Sequence, residues 1–411
     1  MTMNKRYYPV VALLTLALAV TACVLPGGGA PAPAEDQVAT IVASTVQALT
    51  PAPGTESTST PEPEAPTLLP HSLYFLGNDA TGLMQVFRIG KDGGTQVQVT
   101  SEPVNVGDYA VSPIDGSVVY VVNNQLLWVA EDGSGRKLLV DGGAVDENNP
   151  FLSNITNPVV SPDGRVIAYG HKGLNFYALE TGVSNRVLDN QFDDLGSGMF
   201  IPKELYLPEK YSPDGKKLLL TLAYYEGASA AVYYPDSKAL VRLTGGQDAL
   251  ICCGEEEWTA DGSAFYMANP SMGMFSSGMW RVDSSTGAVT TLLPGDAGGG
   301  MYNLPDEPFL APDGQLYYFH AKVAAPEGFS NRNPLQLVRS APDGVTDRTI
   351  LLPDTFEAMN EALWAPDGSF VIVAFAPTLE VYFGGQAEVV YTDGSPGVVL
   401  TSFAQDMKWG P

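Results

Sequence analysis

The chain has 411 residues, 45% of them hydrophobic, which is enough to bury the core of one large domain or of two ordinary ones. Asp and Glu number 46 against 21 Lys and Arg, so the formal net charge at pH 7 is -25. A surface of that sign repels nucleic acid and anionic lipid, and we expect neither to bind through a basic patch.

The first 22 residues have the layout of a secretory signal peptide. Lys5 and Arg6 precede an apolar run from Val10 to Val20, which is too short to span a bilayer comfortably. The following "VTAC", which ends at Cys23, resembles the bacterial lipobox, because small residues precede a cysteine at the end of the run. The resemblance implies that Cys23 is acylated and anchors an extracytoplasmic protein of the cell envelope to the membrane. The alternative is an ordinary signal peptide followed by a coincidental cysteine.

Residues 23–70 have the composition of a linker, rich in Pro, Ala, Thr and Ser, which buries too little apolar surface to order itself. Within this linker, residues 36–49 place apolar side chains at helical spacing behind a candidate N-cap, Asp36, and predict a short amphipathic helix. The apolar positions are Val38, Ile41, Val42, Val46 and Leu49. A linker of this kind holds the following domain away from a membrane anchor.

Residues 71–411 repeat a unit of about 50 residues, seen in "PVVSPDGRVIAYG", "EKYSPDGKKLLLTL", "PFLAPDGQLYYFH" and "ALWAPDGSFVIVAF". An apolar stretch runs into Pro-Asp-Gly, where proline fixes φ and glycine accepts a positive φ, so the motif predicts a tight hairpin. Two more β-prone stretches complete four antiparallel strands per unit, which indicates a β-propeller. The turn aspartates are Asp115, Asp163, Asp214, Asp261, Asp313 and Asp367.

These units resemble the WD-repeat-like repeats of TolB and its relatives, in which an aromatic or apolar residue precedes Ser-Pro-Asp-Gly. The resemblance implies an all-β propeller. Six complete units and one unit assembled from both chain ends predict seven blades, since residues 71–100 lack a first strand and the ending "DMKWGP" supplies one. Pairing of the N- and C-terminal strands would close the ring and leave no open sheet edge. Six blades with a degenerate extra hairpin is the alternative.

One repeat position holds large aromatic side chains in four units and apolar side chains in others. We expect these aromatic residues to pack between neighbouring blades. They are Tyr211, Trp258, Trp364 and Trp409, and we call them the aromatic column.

The connections of such units fall on two faces. The Pro-Asp-Gly turns and the equally short turns between third and fourth strands form one face, the turn face. The long connections lie on the other, the loop face, and rigidly held loops are where binding sites usually lie. Acids and aromatic rings in these loops suit a cationic peptide, a glycan or a partner protein, unless the acids only solvate loops over packed rings. The candidate ligand-binding residues are Asp146, Glu147, Asp193, Asp194, Glu255, Glu256, Tyr302 and Asp306.

Cysteine, histidine and acid clusters give little sign of a metal or cofactor site. Cys252 and Cys253 are adjacent and predict either a vicinal disulfide or two small buried side chains, because no third ligand accompanies them. His171 and His320 end second strands, and we expect both at the surface or rim. We expect no cofactor; Ca²⁺ is the one ion that the acidic stretches "DGGAVDENN" and "DNQFDDLG" suit, although neither fits the EF-hand loop.

The sequence contains no G-x-S-x-G nucleophile elbow, phosphate-binding glycine loop or H-E-x-x-H zinc motif, so no catalytic residue is predicted. The leading hypothesis is a monomeric, lipid-anchored, non-enzymatic module that binds a protein, peptide or glycan through its loop face. The alternative is an extracellular hydrolase or lyase acting on polysaccharide, which requires two or three carboxylates converging in one pocket. A structural component of the envelope is a third hypothesis.

Overall fold

The structure is a computed structural model that describes residues 67–244, 256–271, 276–325 and 332–411. Several predictions fall outside these residues and stay predictions: the signal peptide, Cys23, the helix at 36–49, Glu255, Cys252 and Cys253. The last residues of the predicted linker already belong to the folded domain. Leu69 is buried, and the amides of Leu68 and Leu69 donate to the carbonyl oxygen of Lys91 at 2.8 and 2.9 Å. Within the described ranges, no helix has the length and apolarity needed to cross a membrane.

The described chain is all-β, as predicted, apart from one short 3₁₀ helix at Pro150–Leu152. The first strands along the chain are β1 (Leu73–Asn78), β2 (Met84–Ile89), β3 (Gln96–Gln98), β4 (Asp108–Val111), β5 (Val118–Val122), β6 (Gln125–Val129), β7 (Lys137–Asp141), β8 (Thr156–Val160), β9 (Val166–Gly170), β10 (Gly173–Ala178), β11 (Val183–Asp189), β12 (Gln191–Gly196), β13 (Met199–Tyr211), β14 (Leu218–Tyr224), β15 (Gly227–Tyr234) and β16 (Ala239–Arg242). The remaining strands are β17 (Glu256–Trp258), β18 (Ala264–Asn269), β19 (Gly278–Asp283), β20 (Val289–Pro294), β21 (Asp296–Gly298), β22 (Met301–Leu310), β23 (Leu316–Ala324), β24 (Gln336–Ser340), β25 (Thr349–Ile350), β26 (Met359–Trp364), β27 (Phe370–Phe375), β28 (Gly385–Tyr391) and β29 (Val398–Trp409).

The strands pair antiparallel, mostly with their neighbours along the chain. Four-stranded sheets comprise β4 to β7, β8 to β11 and β17 to β20, and five-stranded sheets comprise β12 to β16 and β21 to β25. A seven-stranded sheet has the order β26-β27-β28-β29-β1-β2-β3. In it, β29 pairs with β28 near its start, Val398 opposite Val389, and with β1 at its end, Trp409 opposite Leu73. Repeated four-stranded meanders of this kind are the unit of a β-propeller.

The Pro-Asp-Gly turns are held by their aspartate. The Asp163 carboxylate accepts hydrogen bonds from the Ser161 hydroxyl at 2.6 Å and from the Arg165 amide at 3.1 Å, and Gly164 has φ 69°. Because these contacts are local, a short sequence motif is sufficient to specify the hairpin. The aspartates that accept both a nearby hydroxyl and an amide two residues on also include Asp115, Asp214, Asp261 and Asp367.

The core lies between neighbouring meanders, where the aromatic column packs. The ring of Trp364 stacks on that of Phe309 with centroids 5.5 Å apart. Each tryptophan of the column also donates its indole N–H to a backbone carbonyl of the preceding meander. Trp258 donates to Lys210 at 3.3 Å, Trp364 to Glu307 at 2.9 Å and Trp409 to Trp364 at 2.7 Å. The column therefore joins meanders by both packing and hydrogen bonds.

Two connections that the sequence presents as long loops are β-hairpins. β12 pairs with the start of β13, and β21 pairs with the start of β22. The first strands β13 and β22 therefore extend beyond the other strands of their meanders. The turns use glycine in the left-handed region, with φ 83° at Gly196, 78° at Gly198 and 78° at Gly298. Glycine adopts this conformation without a steric cost, so a tight reversal replaces the expected loop.

Candidate functional site

The first strands of the meanders share an acid-rich position that sequence reasoning missed. It lies three residues before the aromatic column, or before the apolar residue that takes the same place in the other units. Aligning the units on their Pro-Asp-Gly turns reveals this position. Its described members are Asp108, Asn157, Pro208, Glu307, Glu361 and Asp406. We call this set the acid position.

Several first strands, among them β8, β13, β22 and β26, bulge at or next to the acid position. The register with the second strand shifts between Thr156 and Val159 and between Asp306 and Phe309. Asn157, Glu307 and Asp406 adopt positive φ of 50°, 49° and 54°. A bulge leaves residues unpaired within their own sheet, so amides here are free to bond to the neighbouring meander.

Carboxylates of the acid position accept hydrogen bonds from those amides. Oδ2 of Asp108 in β4 lies 2.7 Å from the amide nitrogen of Asn157 in β8. Oε1 of Glu307 in β22 lies 3.3 Å from the amide nitrogen of Ala362 in β26. Hydrogen bonds from an amide to an ionised carboxylate are stronger than neutral ones. Each such pair, which we call an acidic latch, connects one first strand to the next.

The latch at the end of the chain has the most contacts. The Glu361 carboxylate in β26 accepts the amide of Asp406 at 2.7 Å and also the amide of Met407, both in β29. On the far side of β29, the Tyr109 hydroxyl donates to the carbonyl oxygen of Asp406 at 2.5 Å. Lys408 forms an ion pair with Asp406, and its Nζ lies 4.3 Å from the centroid of the Tyr109 ring. The end of β29 is therefore bonded to both β26 and β4.

A cavity of about 500 Å³ opens among these first strands. Burial raises the pKa of the Asp108 carboxyl to about 6, with the Lys408 charge opposing the shift and the Asp406 charge adding to it. A carboxyl that titrates this close to neutrality inside a cavity has the property of a general acid. The charged residues lining the cavity are Asp108, Glu209, Lys210, Glu361, Asp406 and Lys408.

A second cavity, of about 800 Å³, lies toward the turn face. Its wall combines rings with prolines of the Pro-Asp-Gly turns, and Lys210 and Glu257, which form an ion pair at 2.5 Å, also line it. Pockets of this size and composition bind ligands through a few polar groups on an apolar wall. The rings are those of Trp258, Tyr266, Phe309, Trp364 and Trp409.

Of the predicted loop-face acids, Asp146 and Asp194 accept hydrogen bonds from backbone amides of their own turns. Asp146 accepts the amides of Asn148 at 3.0 Å and Asn149 at 3.3 Å, together with the Asn149 side chain at 3.0 Å. These bonds hold the pKa of Asp146 below its ordinary value. Asp194 accepts the Gly196 amide at 2.8 Å. Their oxygens therefore shape the backbone of the turns.

The structure brings some predicted residues together and separates others. Asn149, two residues after exposed Glu147, donates to the Gly198 carbonyl oxygen at 3.1 Å, so the loop of Asp146 and Glu147 lies against the β12–β13 hairpin of Asp193 and Asp194. The rings of Phe151 and Phe192 pack at 5.7 Å across the same contact. Half-buried Tyr302 and Asp306 lie instead on β22, in another sheet, and Glu256 begins β17.

No group of three or more His, Cys, Asp or Glu side chains is placed to hold a metal ion within the described ranges. The Ca²⁺ hypothesis for "DGGAVDENN" and "DNQFDDLG" stays a prediction.

A further loop-face feature is the loop of residues 377–384, which Arg332 supports. The Arg332 guanidinium donates to the carbonyl oxygens of Met359 at 2.9 Å and Leu379 at 3.0 Å, and also to that of Val381. It lies 4.7 Å from the centroid of the Tyr382 ring. On this supported backbone, Phe383 is 73% exposed. Leu195 and Met199, at the tip of the β12–β13 hairpin, are each 59% exposed.

Comparisons with known proteins agree with an all-β repeat fold. No family model and no curated protein sequence matches the chain. Among solved structures, a prolyl endopeptidase is similar with a TM-score of 0.52 and 14% identity, over 84% of this chain and 50% of that one. TolB from Acinetobacter baumannii is similar with a TM-score of 0.43 and 18% identity, over 93% of this chain and 74% of that one. An oligogalacturonate lyase from Vibrio parahaemolyticus is similar with a TM-score of 0.49 and 12% identity, over 80% of this chain and 84% of that one. The likeness to the endopeptidase concerns the fold alone, and this chain spans about half the length of that protein.

Proposed function

We propose that residues 71–411 form a closed β-propeller of seven blades, the last of which combines the end of β29 with β1, β2 and β3. The support is a continuous series of contacts between first strands, which leads from β4 through every meander to β29 and back to β4. Pairing of β29 with both β28 and β1 adds to it. The contacts in this series include Asp108–Asn157, β8–β13, Lys210–Glu257, β17–β22, Glu307–Ala362, Glu361–Asp406 and Tyr109–Asp406.

We infer that this propeller is a non-enzymatic binding module for a protein or peptide, held outside the cell membrane by an acylated Cys23. The observation that carries the binding function is the 377–384 loop. An arginine fixes its backbone while Phe383, Tyr382 and Leu379 remain exposed. An aromatic side chain held rigidly in solvent loses little entropy on binding, which is the property of an interface anchor.

The ligand class follows from the acids that accompany exposed apolar side chains on the loop face. Glu380 is exposed within the 377–384 loop itself, and Asp193 and Asp194 are exposed beside Leu195 on the β12–β13 hairpin. An extended segment with apolar and basic side chains complements both features. Acidic latches support the non-enzymatic assignment, because Asp108, Glu307 and Glu361 already bind backbone amides.

A peptide selection on the full-length protein tests this function. We expect selected peptides to bind the wild type and to lose at least about tenfold in affinity to Phe383→Ser, as is usual for an anchor residue. The matched control is Ile114→Ser, which replaces an exposed apolar side chain on the turn face. Failure to select any peptide, or equal losses in both variants, would contradict the proposal.

One observation favours the hydrolase or lyase as a second candidate. Asp108 has a pKa raised to about 6 and lies in a cavity with Lys408. Such a carboxyl could protonate a leaving group if a substrate entered. Turnover of a polysaccharide by the wild type that Asp108→Asn abolishes would establish this activity in place of simple binding.

A further inference from the structure

The aromatic column contains one hydroxyl that has no hydrogen-bond partner among the described residues. The three tryptophans of the column donate their indole N–H to the preceding meander. Tyr211 occupies the same position, is only 8% exposed, and its hydroxyl oxygen is buried without a partner. An unpaired buried hydroxyl loses its hydration without compensation. Its three equivalents show that this repeat position normally satisfies its polar group.

This tyrosine lines a separate cavity of about 530 Å³ on the turn face, between the β8–β9 and β13–β14 turns. The volume lies within the range of small-molecule sites. The Phe176 ring forms part of the wall and is itself supported by stacking on Tyr233, with centroids 5.8 Å apart. The other apolar lining residues are Pro162, Val166, Pro213 and Pro235.

Two ionised carboxylates border the same cavity. Hydrogen bonds from Ser161 and Arg165 hold the pKa of Asp163 below its ordinary value, and those from Ser212 and Lys216 do the same for Asp214. Lys216 also pairs with Asp214 at 3.5 Å. Burial, with the Asp163 charge adding to it, raises the pKa of Tyr211, so its hydroxyl remains a donor at neutral pH.

We propose that this cavity binds a small organic cation that carries an aromatic or alicyclic ring and a hydrogen-bond acceptor. The ring packs against Phe176 and the prolines, the ammonium group lies near Asp163, and the acceptor takes the Tyr211 hydroxyl hydrogen. The ligand satisfies the one unpaired polar atom of the aromatic column. This site lies on the turn face and is independent of the loop-face binding proposed above.

Titration of the full-length protein with 2-phenoxyethylamine, followed by NMR, tests the site. This probe has a ring, an ether oxygen and an ammonium group, and 2-phenoxyethanol is its uncharged counterpart. We expect saturable binding of the amine and weaker binding of the alcohol. Tyr211→Phe keeps the ring and removes only the donor, so it should weaken amine binding about three- to tenfold, the value of one hydrogen bond.

Thermal unfolding distinguishes a ligand-binding hydroxyl from a structural one. Tyr211→Phe should leave the Tm unchanged or raise it, because it removes an unpaired buried polar group. The control is Tyr318→Phe, which removes a buried hydroxyl that donates to the Gly344 carbonyl oxygen at 2.6 Å and should lower the Tm. The proposal is overturned if no probe saturates, if Tyr211→Phe binds the amine as tightly as the wild type, or if its Tm falls as that of Tyr318→Phe does.

Discussion

At the scale of single residues, His320 shows that a residue near the predicted end of a strand can be buried. The sequence places it at the end of a second strand, where we expected a rim residue. The structure extends β23 past it to Ala324, and His320 is only 9% exposed. Its Nε2 lies 3.1 Å from Oδ1 of Asn303, whose Nδ2 donates to the Pro294 carbonyl oxygen. Asn303 of the long β22 and the ring of Tyr318 contact the imidazole, and the sequence did not indicate that β22 and β23 extend this far.

His320 should make stability depend on pH. Burial, with the charges of Arg348 and Lys322, lowers its pKa to about 4 from the ordinary 6.5. Between these values the unfolded chain binds a proton that the folded protein does not. The contribution of His320 to the free energy of unfolding is therefore complete above about pH 6.5. As the pH falls to 4, this free energy decreases by on the order of 2–3 kcal/mol. Denaturant unfolding of the wild type and His320→Gln should show this loss in the wild type alone; parallel pH profiles would contradict it.

At the scale of strands, the acidic latches assign a structural task to Asp108, Glu307 and Glu361, which lie at a repeat position that sequence reasoning missed. The local parts of each unit were predictable, because an aspartate such as Asp163 bonds within its own turn. The latches were not predictable, because each one connects residues about 50 positions apart in the sequence, through a bulge that no local sequence pattern reveals. The same limit applies to Tyr211, whose unpaired hydroxyl emerges only when its neighbours are placed.

The latch made by Glu361 should contribute measurably to stability. Glu361→Gln keeps the shape of the side chain but removes the charge that accepts the amides of Asp406 and Met407. We expect the free energy of unfolding to fall by about 1–2 kcal/mol, as for a weakened charge-assisted hydrogen bond. Hydrogen exchange of the 406 and 407 amides should accelerate. The control, Glu357→Gln, changes an exposed acid just before β26. Equal effects of the two substitutions would mean that the latch adds no stability.

At the scale of the whole molecule, the repeat and its period predicted the all-β architecture and the location of most strands. The two hairpins β12–β13 and β21–β22 departed from prediction, because glycine turns allowed acid-rich connections to pair. The pairing of β29 with β1 was anticipated from the incomplete first unit, and the structure contains that pairing. The proposed seven-bladed ring depends on this contact more than on any other, since it joins the two ends of the domain.

Deletion of residues 406–411 tests the closure. The deletion removes the pairs Leu73–Trp409 and Tyr74–Lys408, the indole hydrogen bond of Trp409 and the amides that bind Glu361. It also exposes the edge of β1, which becomes available for pairing with other chains. If this strand closes the ring, the Tm should fall by on the order of 10 °C, because several hydrogen bonds and a buried aromatic contact disappear together.

Removal of Pro411 alone, the control, leaves every one of these contacts in place and should not change the Tm. A Tm of the longer deletion equal to that of the wild type would refute closure through β29, because a strand that joins two ends of a ring cannot be removed without releasing both neighbours.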